Sequence, residues 1–492
     1  MSTPASTGPA GPVDLDTLDR RGPWDRVRAV VVGIGVSGFA AADTLVHLGA
    51  QVTVLAESAT DDQQEKARLL EILGAQVRIG AGATDGLEGA ADLVVTSPGV
   101  RPTAPVLVAA RAAGVPVWGE VELAWRVRDP DHPGRWLCLT GTNGKTTTVQ
   151  MLEAVLRAAG TASVACGNVG LPIVEAVMDP VPYDVYAVEL SSFQLHYTHT
   201  MAAESAAVLN IAEDHLDWYP SMAEYAADKG RIYERVRRAC VYNVADPVTE
   251  QLVRDADVQE GARAIGFTLG VPDVGMVGVV DGVLADRAFV EQRATTAAEL
   301  CTVGDLASDA PHFVANALAA AALARSVGVP PAAVRAGLAS FTPDGHRIAE
   351  VATVDGVRYV NDSKATNPHA AAASLAGYDR VVWIAGGLAK GASFDELVRS
   401  VRGRLAGVVL LGQDRHVISA ALSRHAADVR VIEVDGRDTS AMDRVVAAAA
   451  ELASPGDTVL LAPGCASMDM FANYGARGDA FAESVRRLRG RE

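Results

Sequence analysis

The densest chemical signal in the chain is the run Leu139-Thr140-Gly141-Thr142-Asn143-Gly144-Lys145-Thr146-Thr147-Thr148. An apolar stretch at 136–139 enters it and a helical pattern over 146–159 leaves it. Strand, glycine-bearing turn, Lys-Thr and helix is an arrangement that cradles nucleotide phosphates, because backbone N–H groups and a helix N-terminus converge on the anion. Lys145 would reach the β- and γ-phosphates, and the Thr146 hydroxyl would face Mg²⁺. The spacing GxxxxGK[ST] asks for glycine at 139, where this chain has Leu139. A bare Gly-Lys-Thr can also be only a turn and a helix start.

Other reactive groups fall just after apolar runs. Glu189 ends the run 185–188, where an acid is costly unless paired or metal-bound, so it is either a Mg²⁺ ligand or a capping residue. Asn168, Ser191, Ser192, Asn210 and the cluster Glu213-Asp214-His215-Leu216-Asp217 lie at comparable places. Lys229 sits in a helical stretch, where side-chain physics alone predicts a solvent-facing lysine. Near the N-terminus, Gly33-Ile34-Gly35-Val36-Ser37-Gly38 follows the apolar run 29–32, and Glu57 comes after a second strand at 51–55. That is the dinucleotide fingerprint, and it suits a nicotinamide enzyme or any ligand carrying a diphosphate. Ser97-Pro98-Gly99 is either a plain turn or a substrate loop. Toward the C-terminus, the polar cluster 361–368, Gly386 to Lys390, and Pro463 to Ser467 each follow a strand pattern.

Positioning these groups requires strands alternating with helices, the signature of parallel sheets. The expected class is α/β with three domains: a Rossmann-like N-terminal domain at 24–123, a central P-loop-type mononucleotide-binding domain at 124–343, and a Rossmann-like C-terminal domain at 344–492. Residues 1–23 read as a flexible tail without signal-peptide character, and 271–286 as a peripheral hairpin. A length of 492 residues and a hydrophobic fraction of 49% support several packed cores. A net charge of −17 argues against a nucleic-acid partner. The five scattered cysteines suit reduced thiols in a cytoplasmic protein, and no apolar run is long enough for membrane insertion.

Gly141 to Thr147, Glu189-Leu190-Ser191-Ser192-Phe193-Gln194-Leu195, Asn210 with Glu213 to His215, and Asn361 to Asn367 together resemble the Mur ligases. These are ATP-dependent amide-forming enzymes of peptidoglycan precursor synthesis. Asp362-Ser363-Lys364-Ala365-Thr366-Asn367 and Cys465-Ala466-Ser467-Met468-Asp469-Met470-Phe471 are similar to the branch that adds D-glutamate to UDP-N-acetylmuramoyl-L-alanine. The resemblance runs from about residue 27 to 490. It implies that Gly141, Thr142, Asn143, Gly144, Lys145, Thr146, Thr147, Asn316, Arg347 and Asp362 bind ATP. It implies two Mg²⁺ sites, with Thr146 and Glu189 at one and His215 with a carbamylated Lys229 at the other. It makes Lys145, His215 and Lys229 catalytic. Val36, Ser37 and Ser97 would meet the uridine-diphosphate end of the substrate, and Asn168 and His215 its muramoyl-alanyl end. Lys364, Thr366, Lys390, Ser467 and Tyr474 would hold D-glutamate. A monomer is favoured. The chain departs from the family pattern at Glu57, Phe313 and Tyr474.

Overall fold

The structure is a computed structural model that describes residues 13–489, apart from Glu88, Asp344, Arg347 and 437–440. Among the described residues, twenty strands form three sheets. β1 (Arg28–Val32), β2 (Gln51–Ala56), β3 (Gln76–Ile79), β4 (Leu93–Thr96) and β5 (Val117–Gly119) make an all-parallel sheet in the order β3-β2-β1-β4-β5. The chain winds outward from β1 one way and from β4 the other, so a topological switch point opens between them. Ligands of such sheets bind in that crevice, beyond the carboxyl ends of the strands. The glycine turn follows β1, and Ser97 follows β4.

The central sheet comprises β6 (Arg135–Thr140), β7 (Ser163–Gly167), β8 (Val185–Glu189), β9 (Ser205–Val208), β10 (Ala239–Asn243), β11 (Arg263–Phe267), β12 (Met276–Val280), β13 (Val283–Asp286) and β14 (Ala298–Thr302). Its order is β14-β13-β12-β11-β10-β9-β6-β8-β7. β6 lies between β8 and β9, which places the turn at 140–144, Glu189 and Asn210 to His215 around one crevice. The apolar runs 185–188 and 136–139 are buried on both faces, which is why they are unbroken and not alternating. The expected hairpin at 271–286 is present as β12–β13, but β12 pairs in parallel with β11 and so extends the main sheet.

β15 (Ala349–Val354), β16 (Val357–Asn361), β17 (Val381–Gly386), β18 (Leu405–Leu411), β19 (Val431–Glu433) and β20 (Thr458–Leu461) form the third sheet, in the order β15-β16-β20-β17-β18-β19. β20 returns between β16 and β17. All three C-terminal polar clusters therefore stand at adjacent strand ends.

The cores divide unequally. One continuous cluster joins Trp24, Val31 and Trp118 to Trp136, Cys138 and Val208, so the first two sheets share a core. The helix Glu120–Arg126 is buried within it and runs through the expected boundary at 123. The C-terminal clusters contain no residue before Ile348. Residues 13–23 of the expected tail pack on this body: Leu18 is buried, the Trp24 indole donates to Asp19 O, and Arg126 donates to Leu15 O. The rest of that tail lies outside the described residues. The cysteines are all free and buried. Among the described residues, no helix is long and apolar enough to cross a membrane.

Candidate active site

Gly144 sits at φ +82°, a left-handed position that suits glycine. It opens the helix Lys145–Ala158. A Cβ there would lie 2.4 Å from Asn316 Oδ1, so the turn and the helix Pro311–Ser326 touch at this point. Asn210 fixes the turn: its Oδ1 accepts from Asn143 N at 2.8 Å, its Nδ2 donates to Asn143 O at 3.1 Å, and its carbonyl accepts from Thr142 N. Thr142 Oγ1 accepts from Ala212 N at 2.9 Å and meets the Tyr225 hydroxyl at 3.1 Å.

Lysines converge on this turn. Lys145 Nζ donates to Gly141 O at 2.8 Å and Thr142 O at 2.9 Å. Lys229 Nζ donates to the same Gly141 O at 2.9 Å and lies 4.6 Å over the Tyr225 ring. Lys229 is only 2% exposed, so the solvent-facing position predicted from helix physics is wrong. The periodicity of one helix, Met222–Gly230, says nothing of the turn that packs across it. Burial and the nearby Lys145 charge push the Lys229 amine well below its usual pKa. Burial also lowers Lys145; Glu189 and Asp214 oppose that shift, while Lys364 and Lys390 add to it.

Burial lowers His215 to about 4 despite the adjacent Asp214, which leaves a neutral imidazole able to ligate a metal. Its ring packs edge-on against Phe193 at 4.7 Å. Glu189 is 1% exposed; Oε1 accepts from Asn168 Nδ2 at 2.8 Å, and the buried Oε2 has no hydrogen-bond partner. Among the described residues, no three of His, Cys, Asp and Glu gather as a ready metal cage. A cation here would draw on the mixed set Thr146, Glu189, His215 and a modified Lys229. The orphaned carboxylate oxygen and the neutral imidazole fit that role.

Asp214 ties the site together. It pairs with Lys390 at 3.1 Å and accepts from Asn367 Nδ2 at 3.3 Å. Burial raises its pKa, but Lys390, His215 and Lys145 outweigh that and hold the carboxylate below its usual range. Asn367 also donates to Asn143 Oδ1 at 2.9 Å. The third sheet thus meets the central crevice through a polar seam. On its side of the seam, Lys364 Nζ lies 3.8 Å over the Tyr474 ring. Asp362 is buried and accepts from the Ser374 hydroxyl. Ser467 is buried just after β20, and Thr366 lies in the loop between Asp362 and Asn367. Arg347 lies outside the described residues.

Sequence reasoning missed Arg477, which is 1% exposed in the helix Tyr474–Arg489. Its guanidinium donates to Ser363 Oγ at 3.0 Å, Ser363 O at 2.9 Å, Cys465 O at 3.0 Å and Gly386 O at 3.5 Å. One side chain therefore links the loops after β16, β17 and β20. The only sequence signal was an arginine among small residues, which by itself reads as surface. His196 Nδ1, 2.8 Å from Asp228 Oδ2 beside Lys229, was missed as well.

In the first sheet, a Cβ on Gly38 would lie 2.1 Å from Gly33 O and 2.6 Å from Ser97 Oγ, so Ser97 lies directly under the glycine turn. Ser97 Oγ is buried without a partner. Val36, at the start of the helix Val36–His47, is 62% exposed, with Ser37 next to it. Glu57, the acid of the dinucleotide fingerprint, accepts from Gly82 N, Thr84 N and Thr84 Oγ1. It holds a loop, so the nicotinamide alternative loses its ribose acceptor.

Known proteins match the chain along its length. Residues 27–119 match the MurD-like N-terminal domain of Mur ligases, 139–324 the Mur ligase middle domain, and 346–465 the Mur ligase glutamate ligase domain. A UDP-N-acetylmuramoylalanine–D-glutamate ligase from Streptomyces avermitilis is 60% identical over 465 residues, covering 94% of this chain and 99% of the relative. A Streptomyces coelicolor protein of the same name is 60% identical over 460 residues, covering 93% and 97%. Among solved structures, a UDP-N-acetylmuramate–alanine ligase from Thermotoga maritima has a TM-score of 0.54 at 19% identity, covering 95% of this chain and all of that one (100%). A MurF ligase from the same organism, solved with ADP, gives 0.53 at 16% identity, covering 97% and 100%. These two likenesses are of fold. With three domain patterns in order and relatives this similar over nearly their whole length, the chain belongs to the Mur ligase family.

Proposed function

We propose that the chain uses ATP to join D-glutamate to UDP-N-acetylmuramoyl-L-alanine through an acyl phosphate, a step of peptidoglycan precursor synthesis. The observation that carries this reading is the seam between the third sheet and the phosphate turn, where Lys390 pairs with Asp214 at 3.1 Å and Asn367 donates to Asn143 Oδ1 at 2.9 Å. Lys364 and Lys390, from the third sheet, lie near enough to Lys145 for their charges to lower its pKa. An anionic amino acid held by those lysines would share one crevice with the nucleotide phosphates. The relatives that span the chain carry the name of this reaction.

A carboxylate and an amine in water only exchange a proton, so the carboxylate must first be activated. The muramoyl-alanine carboxylate oxygen bonds to the γ-phosphorus as the bond to the ADP oxygen breaks. The D-glutamate nitrogen, as the free amine, then attacks the carbonyl carbon, phosphate leaves with the original carboxylate oxygen, and the nitrogen gives up one proton to solvent. Lys145 and the turn's N–H groups neutralise charge on the transferring group, a task mostly of positioning and electrostatics. Thr146 and Glu189 would hold one Mg²⁺, and His215 with carbamylated Lys229 a second. Bound magnesium supplies further neutralisation of phosphoryl charge. Lys229 suits carbamylation because burial favours its neutral amine, the form that adds CO₂. The product is an anion where an ammonium would repel the metal. Asn316, Arg347 and Asp362 are assigned to the nucleotide and Asn168 to the muramoyl-alanyl group. Lys364, Thr366, Lys390, Ser467 and Tyr474 are assigned to D-glutamate. The unpartnered Ser97 hydroxyl under the glycine turn supports a substrate diphosphate there, with Ser37 and Val36. A cytoplasmic monomer suffices, since one chain carries all three sets.

Oxygen-18 placed in the UDP-N-acetylmuramoyl-L-alanine carboxylate tests the route. One labelled oxygen is expected in each released phosphate. Unlabelled phosphate, with amide still formed, would overturn the acyl-phosphate step.

A further inference from the structure

A second cluster of cationic side chains lies at the pole of the central sheet opposite the active site. It lines a cavity of about 510 Å³ at the amino ends of β10 and β11, within the range of small-ligand sites. Each of these strands is about 15 Å long, and Asn243, at the far end of β10, bonds to Leu209 O beside the catalytic crevice. Arg237, Arg238, Arg263 and Arg325 line the cavity together with Glu260 and Glu291. Arg238 pairs with Glu204 at 3.6 Å and Arg325 with Asp286 at 2.8 Å. Among the described residues, no carboxylate lies within ion-pair distance of Arg237 or Arg263. Arg263 is half-buried, donates to Ala288 O at 3.0 Å and lies 5.1 Å from the Phe289 ring centroid. Burial and the like charges of Arg293 and Arg238 lower its pKa.

An adjoining cleft of about 280 Å³ shares Arg237 and is lined by Arg128 and Trp136. Trp136 is 1% exposed, and its indole N–H has no acceptor. A buried donor without a partner is costly. It adds a neutral hydrogen-bond donor to a wall that also carries Arg128, Arg135, Arg237 and the acid Glu204.

Surface arginines in a chain of net charge −17 have many acids to choose from. Here four arginines line a cavity with only two glutamates, and neither Arg237 nor Arg263 forms an ion pair with them, so the lining keeps a net positive charge that favours an anion. A guanidinium fork matches one phosphate in bidentate fashion, so two unpaired forks match two linked phosphates. We propose that this cavity is a second anion site, which binds a small molecule bearing a diphosphate group through Arg237 and Arg263. The helix Pro311–Ser326 gives the site a physical link to catalysis. Arg325 and Ser326 at its end line the cavity, and Asn316, about 14 Å back along the axis, abuts Gly144.

Calorimetric titration of inorganic pyrophosphate into the full chain saturated with ADP, with magnesium in excess over both, tests the site. One further equivalent is expected to bind. In Arg237→Glu/Arg263→Glu its affinity should fall about tenfold or more, the cost of losing one charge-assisted hydrogen bond. Arg237→Lys/Arg263→Lys should keep most of the binding, and turnover without pyrophosphate should be unchanged in both variants. Orthophosphate, measured in parallel, should bind about tenfold more weakly. The site is refuted if no pyrophosphate binds the ADP-saturated enzyme up to roughly 10 mM. It is equally refuted if the charge-reversed variant binds as wild type does, or if orthophosphate binds as well as pyrophosphate.

Discussion

Among single residues, the lysine that helix physics would assign to solvent bears most on the chemistry. Lys229 is buried against Gly141 O and the Tyr225 ring, within electrostatic reach of Lys145 and of the acids Glu189 and Asp214. A permanent ammonium there would be desolvated and would repel both its neighbour and a metal. The carbamate reading removes that conflict by reversing the charge. Lys229→Ala is therefore expected to lower turnover by about 10²–10³ or more, the usual cost of one preorganised electrostatic group. Added bicarbonate or a short-chain carboxylate should restore part of it. Near-normal turnover of the alanine variant in a steady-state assay would remove the carbamate from the mechanism.

At the scale of elements, side chains from one helix set the geometry of several loops. Arg477 reaches from the helix Tyr474–Arg489 to the loops after β16, β17 and β20, which carry Lys364, Lys390 and Ser467. Arg477→Met should raise the KM for D-glutamate about tenfold or more while changing the KM for ATP little, since charge-assisted hydrogen bonds to three loops are lost. Equal rises in both constants would show a general loss of folding. A second helix, Glu120–Arg126, carries Glu120, which is 2% exposed, accepts from Val174 N at 2.7 Å and leaves Oε2 unpartnered. Burial pushes its carboxyl up to about 7. The folded state therefore binds the proton more tightly than the unfolded state. That stability is fully present below about pH 4.5 and is lost as pH rises through 7. Against Glu120→Gln, wild type should lose about 3 kcal/mol between pH 4.5 and pH 8.5, measured by denaturant unfolding. A difference independent of pH would contradict the assignment.

The elements themselves were largely legible in the sequence. Unbroken apolar runs such as 136–139 and 185–188 signal strands buried on both faces, and the polar residues that end them mark the site. β3, at Gln76–Ile79, was not legible because it is short and largely exposed, without an apolar run. The contacts of Lys229, Arg477 and Asp214 were not legible for a different reason, although the family resemblance reached Lys229 and Asp214 stood in a cluster of candidate ligands. Their roles come from partners far away in sequence, and neither periodicity nor composition encodes those contacts.

At the scale of the whole molecule, the two joins differ in kind. The first and central sheets share an apolar core around Trp24, Trp118 and Trp136, which holds the glycine turn and the Ser97 beneath it in a fixed relation to the phosphate turn. The third sheet's connections meet the crevice through polar contacts at Asn143, Asp214, Asn367, His369 and Lys390. Such contacts are individually weak, so they can be exchanged for ligands. This division suits an enzyme that holds a nucleotide-linked substrate on a rigid body and brings an amino acid to it on a separate one. The most direct test supplies UDP-N-acetylmuramoyl-L-alanine and ATP with a panel of amino acids and measures phosphate release and amide product. Both are expected with D-glutamate alone, and neither when D-glutamate or the nucleotide-linked substrate is left out. Equal phosphate release and amide formation with L-lysine or meso-diaminopimelate would contradict the D-glutamate assignment.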